Sequence, residues 1–304
     1  MRTKQIILVV TAMLILTSFS TAIAQDLDKV QITSVKITDN IYMLQGAGGN
    51  IGLSFGSDGI FIIDDQFAPL HEKLIAVIDE LTKGKVSESA NTFLLNTHFH
   101  GDHTGGNELL GKTGAVIMAH QNVRKRLSVE MNIPFFKSTN PAVADVGLPV
   151  ITFEQDITLH LNGDNVKIIH VGPAHTDGDA IVHFSKADVI HGGDILFSST
   201  YPFIDLDNGG SVSGVIAAVE KIIKLAGDKT KIIPGHGDIM TKAGLESYHK
   251  MLSTIFERVS EMVADGKTLE EIIASKPTDQ FDLQFSGMIS DEAFLGFVFR
   301  DLTE

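Results

Sequence analysis

The fold is decided by one stretch of the chain, Asn96-Thr97-His98-Phe99-His100-Gly101-Asp102-His103. It places three histidines and one aspartate within six residues, directly after the apolar run Thr92–Leu95, which predicts a buried strand. Side chains at the end of such a strand can converge on one point, and imidazole and carboxylate are the ligands that Zn²⁺ takes where thiolate is absent. The stretch therefore predicts a metal site, and the alternative is a chance histidine cluster on a solvated loop.

Short runs rich in isoleucine and valine surround this stretch and predict strands. In the first half they precede a helical pattern, Leu70–Leu81, and are found at Val30–Ile37, Ile41–Gln45, Ile51–Phe55 and Ile60–Ile63. The second half repeats the order. Its strands are predicted at Val150–Phe153, Ile157–Leu161, Val166–Val171, Ala180–Phe184, Val189–His191 and Lys231–Ile233, and its helices at Val215–Leu225 and Lys242–Ala264.

Strands followed by helices, twice in one chain, favour an α+β four-layer αββα sandwich, in which two packed sheets are covered by helices on their outer faces. No linker composition interrupts residues 25–304, so we predict a single domain there. The segment Phe135–Leu148, with Pro134, Pro141 and Pro149 in or around it, predicts a flap or loop.

The complete set of motifs resembles the metallo-β-lactamase superfamily. Its hallmark is the pattern His98-x-His100-x-Asp102-His103, and three shorter motifs follow in the expected order, each after an apolar strand. These are Gly172-Pro173-Ala174-His175-Thr176-Asp177-Gly178-Asp179, His191-Gly192-Gly193-Asp194 and Pro234-Gly235-His236-Gly237. The resemblance covers about Val30 to Met251. It implies the sandwich fold and a metal-dependent hydrolase.

The resemblance also implies a ligand set for two ions per chain. One ion would be held by His98, His100 and His175, and the other by Asp102, His103 and His236, with Asp194 spanning both. Zinc is expected, although the same donors also suit iron or manganese. A hydroxide shared between the ions would attack the substrate carbonyl, and Asp102 would be the catalytic residue that helps to orient it.

Three classes of function are compatible with these motifs. The first is hydrolysis of a cyclic or activated carbonyl compound, such as a β-lactam, a lactone or a thioester. The chain contains no cysteine, which excludes direct counterparts of β-lactamases with an Asp-Cys-His second site. The second is the oxidation of a persulfide by a single iron ion, as in the persulfide dioxygenases that share this scaffold. The third is a non-catalytic metal-binding module, which would be expected to have lost a ligand.

Five further residues have candidate roles near the ligands. Tyr201 and Asn208 belong to a segment that should overhang the metals, so either could stabilise an oxyanion or contact substrate; the alternative is a loop that only leads into the next helix. Asp64 and Asp65 end a strand that should face the site; the resemblance implies that an aspartate here hydrogen-bonds the ligand loop, and the alternative is a catalytic role. His191 adjoins the third motif, so it is a candidate for a supporting role behind the ligands.

The beginning of the chain predicts export. Arg2 and Lys4 precede an apolar stretch, and Ala22-Ile23-Ala24 is a signature for cleavage before Gln25, so residues 1–24 are expected to be a signal peptide. The mature protein would then be periplasmic or secreted, without stable membrane association. The formal net charge of −14 disfavours nucleic acid as a partner, because phosphate backbones are bound by clustered lysine and arginine. A small-molecule substrate is expected instead.

Overall fold

The computed structural model describes residues 27–86 and 90–304. The signal peptide predicted for residues 1–24 lies outside the described residues, so its cleavage stays a prediction.

In chain order, the described strands are β1 (Thr33–Lys36), β2 (Ile41–Gln45), β3 (Ile51–Gly56), β4 (Gly59–Ile63), β5 (Thr92–Asn96), β6 (Val116–His120), β7 (Met131–Ile133), β8 (Ser138–Asn140), β9 (Ile151–Phe153), β10 (Asp156–Leu161), β11 (Asp164–His170), β12 (Ala180–Phe184), β13 (Val189–His191) and β14 (Lys231–Ile233).

Two of the sheets are large. The first has the strand order β1-β2-β3-β4-β5-β6-β9 and changes from antiparallel pairing to parallel pairing at β4. The second has the order β10-β11-β12-β13-β14, and only its last pair, β13 and β14, is parallel. The carboxyl ends of β5, β13 and β14 are followed directly by the predicted ligand motifs. Each motif therefore starts where a strand leaves its sheet.

The described α-helices lie on the outer faces of these sheets, except the single turn Gly101–Thr104, which belongs to the ligand loop after β5. They are α1 (His71–Thr82), α2 (Gly101–Thr104), α3 (Asn107–Lys112), α4 (Gln121–Leu127), α5 (Val212–Leu225), α6 (Lys242–Ala264), α7 (Leu269–Ser275) and α8 (Asp291–Thr303). None of the helices in the described ranges is both long enough and apolar enough to cross a membrane.

Three apolar cores separate the four layers. Between the sheets, Phe61 and Leu95 of the first sheet pack with Val182 of the second. Outside the first sheet, a separate core joins its strands to Leu74 of α1 and to α3. Outside the second sheet, α5, α6, α7 and α8 bury a larger core that includes Tyr248. This helix–sheet–sheet–helix order confirms the predicted αββα sandwich.

Differences from the predicted elements have local causes. The first strand begins at Thr33 rather than Val30, and it is an exposed edge strand, so its sequence carries little burial signal. The predicted patterns missed α7 and α8, although each has a clear start signal: Thr268 and Glu271 form a capping box for α7, and Ser290 caps α8. The flap prediction corresponds to a hairpin, β7 and β8, joined by a short helical turn at Pro134–Phe136.

Candidate metal centre

The ligand loop after β5 is held by a buried carboxylate. Asp64 accepts hydrogen bonds from the backbone N–H of Thr97 at 2.7 Å and from its hydroxyl at 2.7 Å. The same side chain lies 2.8 Å from Nδ1 of His103, so that nitrogen donates and leaves the lone pair of Nε2 facing inward. Asp64 is fully buried, so these bonds are protected from water. The predicted structural role of Asp64 is confirmed.

The first group of donors consists of His98, His100, His175 and Asp194, whose candidate ligand atoms lie within 4.8 Å of one another. His100 donates from Nε2 to Asp205 at 2.9 Å, and His175 donates from Nδ1 to the carbonyl of Phe203 at 2.8 Å. The nitrogens of these two rings that face each other, 2.9 Å apart, are therefore both bare in the neutral rings.

His98 follows the same logic. The hydroxyl of Thr97 gives its single hydrogen to Asp64, so it accepts from Nδ1 of His98 at 3.1 Å and leaves Nε2 facing Nδ1 of His100 at 3.1 Å. Three lone pairs thus converge without a hydrogen to share. Such an arrangement is what a cation requires from its ligands, since each outer N–H bond fixes the tautomer and the ring orientation.

The second group consists of Asp102, His103 and His236. Oδ2 of Asp102 lies 3.3 Å from Nε2 of His236 and 3.6 Å from Nε2 of His103. Among the described residues, Nε2 of His103 and Oδ1 of Asp194 are buried without a hydrogen-bond partner, although they lie only 3.0 Å apart. Unsatisfied buried polar atoms are costly, and a metal ion is one partner that would satisfy both.

Asp194 lies between the two groups. It occupies a short helical turn, Gly193–Ile195, directly after β13. Its Oδ1 lies 3.0 Å from His103 in the second group. Its Oδ2 faces both groups, at 3.5 Å from Nε2 of His175 and 3.3 Å from Nε2 of His236. The seven predicted ligands are thus brought together, with Asp194 at the position that could span two ions.

At Asp102 and His236, attraction between opposite charges has a larger effect on the pKa than burial does. Burial alone would raise the pKa of Asp102, but the neighbouring imidazoles of His103 and His236 lower it to about 2. Burial would lower the pKa of His236, but the carboxylates of Asp194 and Asp102 raise it to about 9. At His175 burial is the larger effect and lowers the pKa to about 4, although the carboxylate of Asp194 opposes the shift. The acidic members of the cluster are therefore ionised at neutral pH and available as ligands.

Two glycines are required where the backbone approaches the donors. A β-carbon at Gly235 would lie 2.0 Å from Oδ1 of Asp194, and one at Gly49 would lie 2.1 Å from the ring of His103. Asn50 joins the two sheets at this point, because its side-chain amide donates to the carbonyls of Pro234 at 2.9 Å and Gly237 at 2.8 Å. The motif around His236 is thereby fixed against the first sheet.

A cavity of about 460 Å³ opens over the two groups and gives a substrate access to Asp102, Asp194, His100 and His236. The hairpin of β7 and β8 overhangs it, and Phe136 of the hairpin packs against Phe203 with ring centroids 4.7 Å apart. The segment predicted as a flap therefore forms part of the wall of the site.

The structure corrects the oxyanion expectation for Tyr201 and Asn208. The hydroxyl of Tyr201 donates to Asp282 at 2.7 Å, and its buried ring stacks on Phe294 in the helical layer. The amide of Asn208 is also committed, since it donates to Asp205 at 2.8 Å and accepts from Arg126 at 3.0 Å. Neither side chain lines the cavity over the donors. Both have structural partners instead.

Sequence analysis missed two supporting carboxylates. Asp205 orients His100, as described above, and Asp179 accepts from the backbone N–H and the hydroxyl of Thr176 at 2.9 and 2.6 Å, which fixes the turn that carries His175. Burial raises the pKa of Asp179 to about 7, although its hydrogen bonds oppose the shift. Asp179 belongs to the second motif and could have been found there. Asp205 could not have been identified from the sequence, because Asp207 lies in the same loop and nothing in the sequence distinguishes the two aspartates.

His191 takes the supporting position that its place in the third motif suggested. Its Nδ1 accepts the backbone N–H of Gly193 at 3.2 Å, and its Nε2 lies 3.3 Å from the carbonyl of Asn50. The ring is buried and is not among the candidate ligands of either group. It therefore braces the turn that carries Asp194.

Comparisons with known proteins agree with this arrangement. A family model described as the metallo-beta-lactamase superfamily matches residues 86–236, a range that contains all seven candidate ligands. Hydroxyacylglutathione hydrolase of Pelagibacter ubique is 31% identical over 145 residues, which cover 47% of this chain and 51% of that protein. The chain thus spans about half the length of this curated relative.

Solved structures show the same fold at lower identity. The DIM-1 metallo-beta-lactamase aligns with a TM-score of 0.58 at 18% identity, covering 74% of this chain and 99% of that chain. The sec-alkylsulfatase Pisa1 from Pseudomonas sp. aligns with a TM-score of 0.68 at 14% identity, covering 92% of this chain and 51% of that chain. With the four motifs at the ends of their strands and the family model matching across them, the chain belongs to the metallo-β-lactamase superfamily.

Proposed function

We propose that this chain is an exported dinuclear zinc hydrolase, and that it cleaves a cyclic or activated carbonyl compound. The observation that carries the proposal is the position of Asp194, whose two carboxylate oxygens face the two groups of donors. A module with a single ion would have no need of Asp102, His103 and His236 in their present positions. The second group therefore favours hydrolysis over persulfide oxidation by a single iron.

The donors suit zinc. Under this proposal His98, His100 and His175 hold one ion, and Asp102, His103 and His236 hold the other, with Asp194 shared between them. Nitrogen and oxygen donors without thiolate also accept iron or manganese, so zinc is the proposed ion on the basis of the donor set. When bound, two such ions polarise a substrate carbonyl and make a water molecule acidic enough to supply the nucleophile near neutral pH.

The protein side chains determine how a substrate approaches. The side chains of Asp102 and His236 are 24% and 23% exposed, whereas those of His98, His103 and His175 are almost completely buried. The substrate carbonyl therefore enters beside Asp102 and His236. Asp102, whose pKa is held at about 2, stays ionised there. Its carboxylate accepts a hydrogen bond from a water molecule and thereby orients that water toward the substrate.

We propose lactones or thioesters as substrates that are turned over at least as well as β-lactams. A carboxylate shared between the ions, Asp194, lowers their net positive charge and occupies space that a β-lactam carboxylate would approach. The relative from Pelagibacter ubique is named as a hydrolase of hydroxyacylglutathione, which is consistent with an acyl substrate. Nucleic acid is not proposed as a partner, given the net charge of −14.

One experiment tests the reaction and the metal together. Purified protein is analysed for metal content and then assayed at a single zinc concentration on a penicillin, a carbapenem, an acyl lactone, a thioester and a phosphodiester. The proposal predicts two zinc ions per chain and the highest kcat/KM on the lactone or the thioester. One iron per chain with oxygen consumption on a persulfide would contradict it, and so would a preference for the phosphodiester.

Export has its own test. The proposal of a periplasmic or secreted protein is supported by the basic start and the Ala22-Ile23-Ala24 signature. N-terminal sequencing of protein from the periplasmic or extracellular fraction is expected to begin at Gln25. An intact Met1 in that fraction would contradict cleavage.

A further inference from the structure

A second cavity adjoins the one over the metal donors. Its volume is about 600 Å³, compared with about 460 Å³ for the first. The two share Phe67, Gly101 and Asn140 as wall residues, and Gly101 belongs to the ligand loop itself. Asn140 ends β8, so the base of the flap hairpin lies between the cavities. The two cavities are therefore neighbours separated by a rim that these three residues form.

The first cavity offers no cationic side chain of lysine or arginine to hold an anionic group away from the metals. Within the described part of the chain, its lining includes no lysine or arginine, and its charged side chains are Asp102 and Asp194 together with the histidines. The rest of the wall is largely apolar and includes Phe67, Phe136 and Phe203. A substrate with a free carboxylate beyond the reacting carbonyl would lose its hydration there without gaining an ion pair with lysine or arginine.

The wall of the second cavity is largely apolar, and its charged residues are already paired. Leu109, Leu127 and Val143 contribute to its wall, and the ring of Phe99 lies behind the ligand loop. Arg126 makes two hydrogen bonds of 2.7 Å to Asp177, so its charge is neutralised.

The other cation of this wall is balanced as well. Nζ of Lys112 lies 4.0 Å from Glu108, and both of these residues belong to α3 at the same wall. The second cavity therefore presents apolar surface and no unpaired cation among the residues that line it.

We propose that the second cavity binds the apolar arm of a neutral acyl substrate whose carbonyl lies over the metal donors. This inference rests on the proposed function and narrows its substrate class to uncharged, lipophilic thioesters, esters or lactones. Hydrolysis adds water across the acyl C–S or C–O bond. The products are a carboxylate, a proton and a thiol or alcohol, and no redox partner is needed.

Val129 is the position at which to test this. It lines the second cavity and is 52% exposed, so a larger side chain can fill the cavity without disturbing a core. Val150, 71% exposed, lines neither cavity and provides the matched control. The chain contains no tryptophan, so in Val129→Trp and Val150→Trp all tryptophan fluorescence comes from the substituted position. A blue-shifted emission in Val129→Trp alone would show that the new ring packs in the cavity.

The assay uses zinc-loaded protein and S-acyl thioesters of N-acetylcysteamine, a neutral thiol. For the native chain, kcat/KM is expected to rise by about two- to fourfold per methylene from acetyl to octanoyl, as burial of each methylene predicts. The succinyl thioester, which carries a carboxylate, should be cleaved about tenfold less well than the butyryl thioester, since its charge is desolvated without a partner.

The two substitutions test whether the acyl chain occupies the second cavity. Val129→Trp should lower kcat/KM for the octanoyl thioester by about tenfold, because the new ring takes the space of about two to three methylenes, and should leave the acetyl thioester within about twofold. Val150→Trp should leave both unchanged. Hydrolysis that is independent of chain length, a preference for the succinyl thioester, or equal losses on acetyl and octanoyl thioesters in Val129→Trp would overturn the inference.

A binding measurement separates this inference from the proposed function. If no thioester is hydrolysed, the proposed function fails, and the cavity is then tested by calorimetric titration of 1-octanol into the native chain and the two variants. Saturable binding to the native chain and to Val150→Trp that is weakened in Val129→Trp supports an apolar binding site. The absence of binding to the native chain, or equal binding to all three proteins, overturns it, whatever the reaction proves to be.

Discussion

Asp205 lies 2.9 Å from Nε2 of His100, on the opposite side of the imidazole from the nitrogen that faces His98 and His175. Its carboxylate is buried and also accepts a hydrogen bond from Asn208 at 2.8 Å. A carboxylate in this position fixes the tautomer of a ligating histidine and increases its basicity. The loop that was expected to contact substrate therefore acts on the metal centre through His100.

The first prediction concerns this pair. Asp205→Asn retains the size of the side chain but loses the carboxylate, so metal affinity should fall by about 10- to 100-fold. Competition with a chelator, followed by elemental analysis, measures this. Asp207→Asn is the control, because Asp207 lies two residues away in the same loop but is exposed and pairs with Arg300 at 3.1 Å. Equal affinities for the two variants would show that Asp205 does not support the site.

The second prediction concerns Asp102. In Asp102→Ala the second group loses its carboxylate, so turnover should fall by about two orders of magnitude or more while the fold survives, since the side chain is partly exposed at the floor of the cavity. Turnover and far-ultraviolet circular dichroism are measured on the same preparation, with the exposed Asp145→Ala as the control. Activity that persists within a few-fold would refute a catalytic role for Asp102.

The third prediction follows from the close approach of Gly235 to Asp194. A β-carbon in Gly235→Ala would meet Oδ1 of Asp194 at 2.0 Å, so that carboxylate must move from between the two groups. We expect the variant to bind fewer than two ions per chain and to lose about 1–3 kcal/mol of unfolding free energy from the backbone shift. Metal content and chemical denaturation measure these effects. Gly227→Ala, where the nearest atom would be 3.7 Å away, should behave like the native chain.

The fourth prediction distinguishes a structural Tyr201 from a catalytic one. Tyr201→Phe removes the hydroxyl that donates to Asp282 at 2.7 Å and keeps the ring that stacks on Phe294. The unfolding free energy should fall by about 1 kcal/mol, as for the loss of one hydrogen bond. Turnover should remain within about twofold, because the hydroxyl does not reach the cavity over the donors. A large loss of kcat with unchanged stability would restore the oxyanion interpretation.

The fifth prediction uses a pair of stacked imidazoles outside the metal centre. The rings of His120 and His170 lie 3.8 Å apart at 8°; His120 is buried and His170 is partly buried. Burial lowers the pKa of each, and His120 is lowered further by His170. Lys221 opposes the protonation of His170, and Asp177 favours it.

The sign of the pH dependence follows from these lowered values. Because the pKa is lower in the folded chain, the unfolded chain binds protons first as the pH falls below its own value near 6.5, and stability is lost in that range. When the pH is lowered from about 7.5 to about 5.5, the melting temperature of His170→Gln should therefore fall by less than that of the native chain. His160→Gln removes an exposed imidazole as the control. Parallel pH profiles for the native chain and His170→Gln would contradict the coupling.

The metal site was more predictable from the sequence than its surroundings were. Its ligands must meet at one point, and this requires histidine and aspartate at fixed spacings after a strand. His98 to His103 follow a single strand and are close in the chain, so their pattern is visible without a structure. The layers were predictable for a related reason, since burial imposes periodicity on strands and helices.

Orientation and choice among equivalent side chains were not predictable in the same way. Tyr201 lies near the donors along the chain, but its side chain points into the helical layer, and only the packing of α8 against it determines that direction. Asp205 and Asp207 are equivalent in sequence, and the fold buries only the first. The flap hairpin was visible as a proline-rich segment, but its contact with Phe203 depends on a loop about 70 residues further on.

The donors are divided between the two sheets: His98, His100, Asp102 and His103 come from the end of β5, whereas His175, Asp194 and His236 belong to the second half. Any ion held by both sets joins the halves of the sandwich, so its binding free energy also resists their separation. An ion present at about a thousandfold excess over its Kd would add roughly 4 kcal/mol to the stability of the folded chain. The bound metal would thus act as a noncovalent cross-link between the sheets in a chain that has no cysteine with which to form a disulfide.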